Sequence, residues 1–369
     1  MDKLWIKKIG FLLVAFIVGI VFQTMGVPAG WLLGALLTGI FYGLFIETYN
    51  FKGWPFALAL ALVGANIGII MEAELFVHLH QYFLPLLVTL MITLFGGLGF
   101  GLLLNKWTGL DRTTAFFCTV PGGASEVIAL SAHYGADERV VAAFHTARIT
   151  MFVLIIPFGV GLFYGQGSPE TFSEASTQLQ PNQLFFFAVV ISIAFLLHRL
   201  FTFPGAMLIY SIVVGFLLSQ FVFQLGTLPN YIAGVGQVLI GAMVGIRFER
   251  STVKRLSSIG VPSLKILAMY VGMALFVALL FFMMTPLNYV TSLLSTVPAG
   301  APEMSSTAFA LKLEPSLVAS LHIIRMVSIF LVLPLFLRLI LKKSQNCHVR
   351  RVYLNEGWGK PLLLGGEGR

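Results

Sequence analysis

The sequence predicts an all-α polytopic membrane protein built from two inverted repeats, each with about five transmembrane helices and one broken or re-entrant segment. Three observations carry the prediction. The chain of 369 residues is 58% hydrophobic and only 10% charged, with a mean hydropathy of +0.92, whereas a soluble domain carries about 25% charged residues. Apolar runs long enough to span a bilayer as helices, about 17–25 residues, recur from end to end. The second half of the chain also repeats the first. The alternating segments of roughly 10 residues that mark a β-barrel are absent.

Taken in order, the first half offers spans near 9–25, 30–46, 54–71, 83–104 and 139–163. The first run follows Lys3, Lys7 and Lys8, as a signal peptide would. No small-residue cleavage site follows it, and another apolar run begins within about five residues, so it is read as a retained helix. The second half offers spans near 184–201, 205–222, 231–247, 262–284 and 316–341. Each half also holds a shorter piece, 113–134 and 290–311, broken in the middle by PGG or PAGAP. Each arm has about 8–11 residues, roughly 12–16 Å of helix, enough for half a bilayer. The polar, turn-rich stretch 164–183 reads as a periplasmic linker between an N-terminal repeat, 1–163, and a C-terminal repeat, 184–343. The tail 344–369 changes composition and reads as a cytoplasmic extension.

The repeat is gapless around the breaks. An offset of 177 aligns 119–157 with 296–334 and gives 12 identities in 39 positions. Pro121, Gly123, Ala124 and Glu126 fall on Pro298, Gly300, Ala301 and Glu303; His145, Arg148 and Pro157 fall on His322, Arg325 and Pro334. The same offset places GANIGI at Gly64 on GAMVGI at Gly241, and with one gap PAGWLLGALLTG at Pro28 falls on PGAMLIYSIVVG at Pro204.

Charge sets the expected orientation, because cytoplasmic loops carry excess Lys and Arg. With the N-terminus inside and five crossings per half, Lys52, Lys106, Arg112 and Arg139 fall inside. So do Arg199, Arg247, Arg250, Lys254 and Arg255, and then Lys342, Lys343, Arg350 and Arg351. Only Lys312 falls on the wrong side. The acidic loop EAELFVHLHQ corresponds to the basic RFERSTVKRLS, a swap that parallel repeats would not make. Ten crossings, two re-entrant segments and cytoplasmic termini follow. The net charge of +8 comes from these flanks and does not argue for nucleic acid. Cys118 and Cys347 do not form a disulfide framework. His78 and His80 are two apart, which helical geometry separates, so no metal is expected.

The breaks draw the candidate site. Non-helical backbone at membrane depth is tolerated where protein or a water-filled cavity covers it. The backbone at Pro121, Gly122, Gly123, Pro298 and Gly300 lets a solute approach closely, and half-helix N-termini favour anionic groups. Glu126 and Glu303 open the outgoing half-helices. Each is either a proton-binding carboxyl group or a cap on its own helix. His145 and Arg148 share a helix face, as do His322 and Arg325. The arginines are either anion ligands or fixed partners that hold the broken segments; the histidines are core groups or relays. Ser125, Ser305 and Ser306 supply hydroxyls, the last two only in the second half. Asn66 has Met243 as its counterpart, so symmetry gives it no support.

The paired motifs PGGASE…H-x-x-R and PAGAPE…H-x-x-R resemble the bacterial AbrB-type membrane protein family over about residues 9–343. That family's members are often labelled regulators or ammonia monooxygenases, and its name is shared with a soluble DNA-binding regulator whose short basic domain is absent here. The resemblance implies a place in the cation–proton antiporter and anion transporter superfamily, with interrupted helices and alternating access in the bacterial inner membrane. In that superfamily the interrupted helices cross the membrane, whereas the charge count here favours hairpins, and the antiporters' paired aspartates are missing. The expectation is therefore a secondary transporter of a small solute, a carboxylate or other metabolite, coupled to protons and without a cofactor. A homodimer is compatible with such a fold. A ligand sensor is the first alternative and a membrane monooxygenase the second, which seven scattered histidines without ligand spacing argue against. Walker A, GxSxG and CxxC motifs are absent, which removes support for ATP-driven transport and for the common hydrolytic or redox enzymes.

Overall fold

A computed structural model describes residues 2–51, 53–163, 180–203, 205–223, 225, 230–329 and 332. Within them the side chains of His78, Ser125 and Glu126 lie outside the description, and the linker 164–179, Pro334 and the tail 344–369 lie outside it altogether. Residues up to Met326 form one unit, and Val327–Arg369 form a second whose described part is a helix end.

Every regular element among the described residues is helical. The first half contains α1 (Asp2–Thr24), α2 (Gly30–Phe41, continued by a π-helical turn Tyr42–Ile46), α3 (Trp54–Ile69), α4 (Glu74–His78), α5 (Phe83–Thr108), α6 (Arg112–Thr119), α7 (Ala124–His133) and α8 (Glu138–Phe163). The second contains α9 (Pro181–Leu200), α10 (Ala206–Phe221), α11 (Asn230–Gly245), α12 (Arg250–Ile259), α13 (Val261–Met284), α14 (Tyr289–Thr296), α15 (Ala301–Ala310) and α16 (Pro315–Ile329). The order therefore recurs element for element at the sequence offset. The short α4 and α12 lie in the two oppositely charged loops and were not foreseen as helices.

Among the described residues five helices are long and apolar enough to cross a membrane: Leu4–Thr24, Leu79–Thr108, Glu138–Gly161, Pro181–Leu200 and Val261–Met284. α2 with its π turn, α3, α10 and α16 are shorter apolar helices, and α11 joins α12 at a bend of 51°. These five shorter helices fall on the remaining expected spans; beyond Ile329 the last of these, 316–341, lies mostly outside the described residues. Outward-facing α5 and α13 carry exposed Leu84, Phe95, Leu102, Leu264, Phe276 and Met283. Helices this apolar on their outer faces support a membrane protein.

Glycine lets four helices approach backbone to backbone. α2 packs on α11, and α3 packs on α10. A Cβ on Gly64 would stand 2.8 Å from Leu208 O, and one on Gly68 2.5 Å from Ile212 O. On the other side, a Cβ on Gly39 would meet Ala242 O at 2.7 Å. Gly64–Gly68 and Gly241–Gly245 are both small-xxx-small pairs, and each repeats the other's role. The two interfaces exchange when the halves are exchanged. α5 and α13, counterparts in the two halves, pack against each other in opposite directions: Gly96 faces Met273 and Phe100 stacks edge-on to Tyr270 at 5.0 Å.

The end of α1 is tied down by polar and aromatic contacts. Lys7 pairs with Glu47 at 2.9 Å, Lys8 donates to Asn50 O at 2.9 Å, and Trp5 stacks on Trp54 at 5.6 Å. Paired Lys and Trp at one helix end are the pattern of an interfacial belt.

Candidate functional site

Both helix breaks have the same local cause. Proline biases the preceding residue away from helix and offers no N–H of its own. Val120, before Pro121, is extended at φ −66°, ψ 133°, and Val297, before Pro298, at φ −59°, ψ 139°. Helix resumes after Gly123 and Gly300, extended N-caps without a side-chain cap. Each first arm has its own start signal: Asp111 accepts from Thr114 N at 2.8 Å, and Asn288 accepts from Thr291 N at 2.8 Å.

The direction of the chain through the breaks follows from three rungs. Asp137 N, after α7, donates to Thr114 Oγ1 near the start of α6 at 2.9 Å. His145 meets Phe117, and Arg148 meets Val120. Numbers rise together on α6 and α8, so these helices run the same way and α7 must return between them. The broken segment is a helical hairpin. Phe117 against Tyr134, with ring centroids 5.9 Å apart, closes its two arms. In the second half His322 meets Leu294, and Arg325 meets Thr296 and Ala299, so α14 likewise runs with α16 and α15 returns.

The two H-x-x-R pairs close the C-terminal ends of the first arms. His145 Nε2 lies 2.9 Å from Phe117 O, its Nδ1 lies 3.1 Å from an Arg148 amino group, and Arg148 Nη1 donates to Val120 O at 3.3 Å. His322 Nε2 lies 2.7 Å from Leu294 O, its Nδ1 lies 2.9 Å from Arg325, and Arg325 donates to Thr296 O at 2.6 Å and Ala299 O at 3.4 Å. A carbonyl only accepts and a guanidinium only donates, so both histidines carry the proton on Nε2 and are neutral. All four side chains are buried. An unpaired buried charge is costly; here it faces the free carbonyls and partial negative charge of a short helix end. Arg148 and Arg325 lie within electrostatic range of each other, and as like charges they oppose that approach, so each depends on its own carbonyl partners.

Tyr270 on α13 adds a lock to the first tip only. Its hydroxyl donates to Thr119 O, and its ring lies under Arg148, 5.3 Å from the guanidinium carbon. Sequence reasoning missed it: the corresponding position is Thr93, so the repeat gave no signal.

Glu303 occupies the first turn of α15 and is 5% exposed. Its carboxylate folds back over Gly300, where a Cβ would collide with it, and Oε2 has no hydrogen-bond partner among the described residues. Arg247, at the end of α11, lies within electrostatic range. Glu126 and Ser125 hold the matching places on α7. Pro121 and Pro298 are buried at the tips, with Gly122, Gly123 and Gly300 half-buried beside them.

Ser305 and Ser306 lead away from the tips into a narrow cleft between α3, α11 and α15, with an empty volume of ≈ 220 Å³ including its open mouth. Asn66 and Gln237 complete its polar lining. The absence of a symmetry mate for Asn66 argued against it in the sequence; the structure sets it beside the serines. Gln237 gave a signal that was overlooked, as an amide within an apolar run. Among the described residues no group of three or more His, Cys, Asp or Glu side chains is placed to hold a metal.

A paired-hairpin helical protein with buried H-x-x-R caps is what the geometry defines. Residues 31–341 match the family described as "Transition state regulatory protein AbrB", and the chain belongs to that family. It is 24% identical over 379 residues to "Uncharacterized protein YhjN" of Bacillus subtilis (strain 168), covering 92% of this chain and 94% of that protein. It is also 24% identical over 335 residues to "Putative regulator AbrB" of Escherichia coli (strain K12), covering 88% and 94%.

Proposed function

We propose that the chain is an inner-membrane secondary transporter of a small solute, coupled to protons, with inverted repeats and two re-entrant hairpins. The recurrence of a proline-broken, H-x-x-R-capped helix in both halves carries this reading: interrupted helices at the interface of two repeats are where secondary transporters bind their cargo. The opposed packing of α5 on α13 and the interface exchange of α2–α11 with α3–α10 support inversion. The cytoplasmic termini follow from the Lys and Arg distribution. In this reading the arginines and histidines hold the tips rigid, and Glu303 and Glu126 exchange protons as the halves rock.

Counterflow of a metabolite panel into proteoliposomes tests the proposal. Accumulation that responds to a pH gradient is expected; no uptake of any solute, with or without the gradient, counts against it. The name of the Escherichia coli relative favours one other reading, a membrane-embedded sensor that binds its ligand without moving it. Saturable binding without flux would select that reading.

A further inference from the structure

We propose that the α3–α11–α15 cleft is the solute site and that it recognises a small nitrogen compound through its N–H groups, a primary ammonium or primary amide, rather than an anion. The inference rests on the transport reading for its purpose but on separate observations for its chemistry.

The first observation is asymmetry. The four polar residues of the cleft, Asn66, Gln237, Ser305 and Ser306, correspond in the other half to Met243, Leu60, Ile128 and Ala129. The same helices are thus built a second time with apolar side chains at all four places. Folding does not require these polar groups, and burying them costs free energy unless something pairs with them.

The second is what the cleft leaves unpaired. Gln237 is 4% exposed and Ser306 3%, yet neither Gln237 Oε1 nor Ser306 Oγ has a partner among the described residues. Asn66 Nδ2 donates to Leu62 O at 2.8 Å, which fixes its amide and leaves Oδ1 as an acceptor. The Ser305 hydroxyl donates to Ala301 O at 2.7 Å, leaving its lone pairs. These groups call for donors, and Val63, Ile67 and Phe309 leave apolar wall for a short alkyl stem.

The third is the absence of a counter-charge. No Lys or Arg lines the cleft. Arg148 and Arg325 are turned to carbonyls, and the Arg247 guanidinium stacks 4.6 Å from the Phe56 ring centre. An anion would enter a desolvated site whose own lining holds no cation to neutralise it.

Thermal unfolding of the detergent-purified full chain, titrated with ethylammonium, acetamide and acetate, tests the proposal with three probes of like size. A saturable rise in Tm with ethylammonium or acetamide, and none with acetate, is expected; whichever of the two works better tells whether the positive charge is read. Gln237→Leu and Ser306→Ala install residues of the kind the other half already carries, so both variants fold. Each should raise the half-saturating concentration about tenfold, the loss of one hydrogen bond to a buried group. Stabilisation by acetate equal to that by acetamide, titrations unchanged in both variants, or no stabilisation by any probe would overturn the assignment. In proteoliposomes, anion flux insensitive to Gln237→Leu sinks this inference and leaves transport standing. Amide binding intact with no flux does the reverse.

Discussion

The two hairpins share a backbone plan and differ in what surrounds it. At the first tip, Tyr270 clamps Thr119 O and underlies Arg148, and α7 carries Ile128 and Ala129 where α15 carries Ser305 and Ser306. At the second tip there is no equivalent clamp among the described residues; Thr93 stands where Tyr270 would. The second hairpin instead collects polar groups: buried Thr291, Ser292 and Ser295 on α14 have hydroxyls without partners among the described residues, where α6 has Thr114, Ala115 and Cys118. Duplication gave one scaffold twice, and the halves then divided the work. One hairpin is fastened; the other is furnished with unsatisfied groups of the kind a ligand can complete.

The caps are common to both, so breaking them should have the largest effect. Arg325→Met strips partners from two carbonyls and from His322, and should cost about 2–4 kcal/mol. Arg148→Met strips a partner from one carbonyl, from His145 and from the Tyr270 ring face, one carbonyl fewer, and should cost less. Thermal unfolding of both variants in detergent reads the order, and the reverse order would mean that the clamp, not the caps, dominates the first tip. Tyr270→Phe removes the clamp alone and should destabilise by about 1–2 kcal/mol. Gln237→Leu should go the other way, neutral or stabilising by up to about 1 kcal/mol, because it removes a buried polar group that lacks a partner. A loss of stability there would show that the amide is structural.

The smallest effect lies far from both tips. Lys7, through its hydrogen bond and charge, holds the exposed Glu47 carboxyl below its usual range. A carboxyl whose folded pKa is depressed contributes stability that is present above the unfolded value, about 4.3, and lost as pH falls through the folded value. Lys7→Met should remove that acid-side dependence, which thermal unfolding across the acid range would read.

Much of this was legible in the sequence because it rests on local physics or on repetition. Pro121 and Pro298 announce the breaks by excluding helix at the residue before them, and the structure puts the breaks there. The spacing of His145 to Arg148 and of His322 to Arg325 announced shared faces. Their partners were not legible, since carbonyls leave no mark in a sequence. Repetition also misled: it discounted Asn66 for lacking a mate, although lacking a mate is what marks the cleft residues. Tyr270 needed three dimensions, because it acts on a helix remote in sequence, whereas Gln237 was visible as an amide within an apolar run. α4 and α12 were hidden by their polar composition, which reads as loop until packing is known.

The most direct test of the account is solute exchange in proteoliposomes carrying wild type or Glu303→Gln, with and without an imposed pH gradient. Glu303 is buried at the tip of the furnished hairpin with one oxygen unpartnered. The account predicts that wild type exchanges solute faster under the gradient, and that Glu303→Gln keeps exchange but loses the response. Wild-type flux indifferent to pH, or a variant that responds as wild type does, would contradict it.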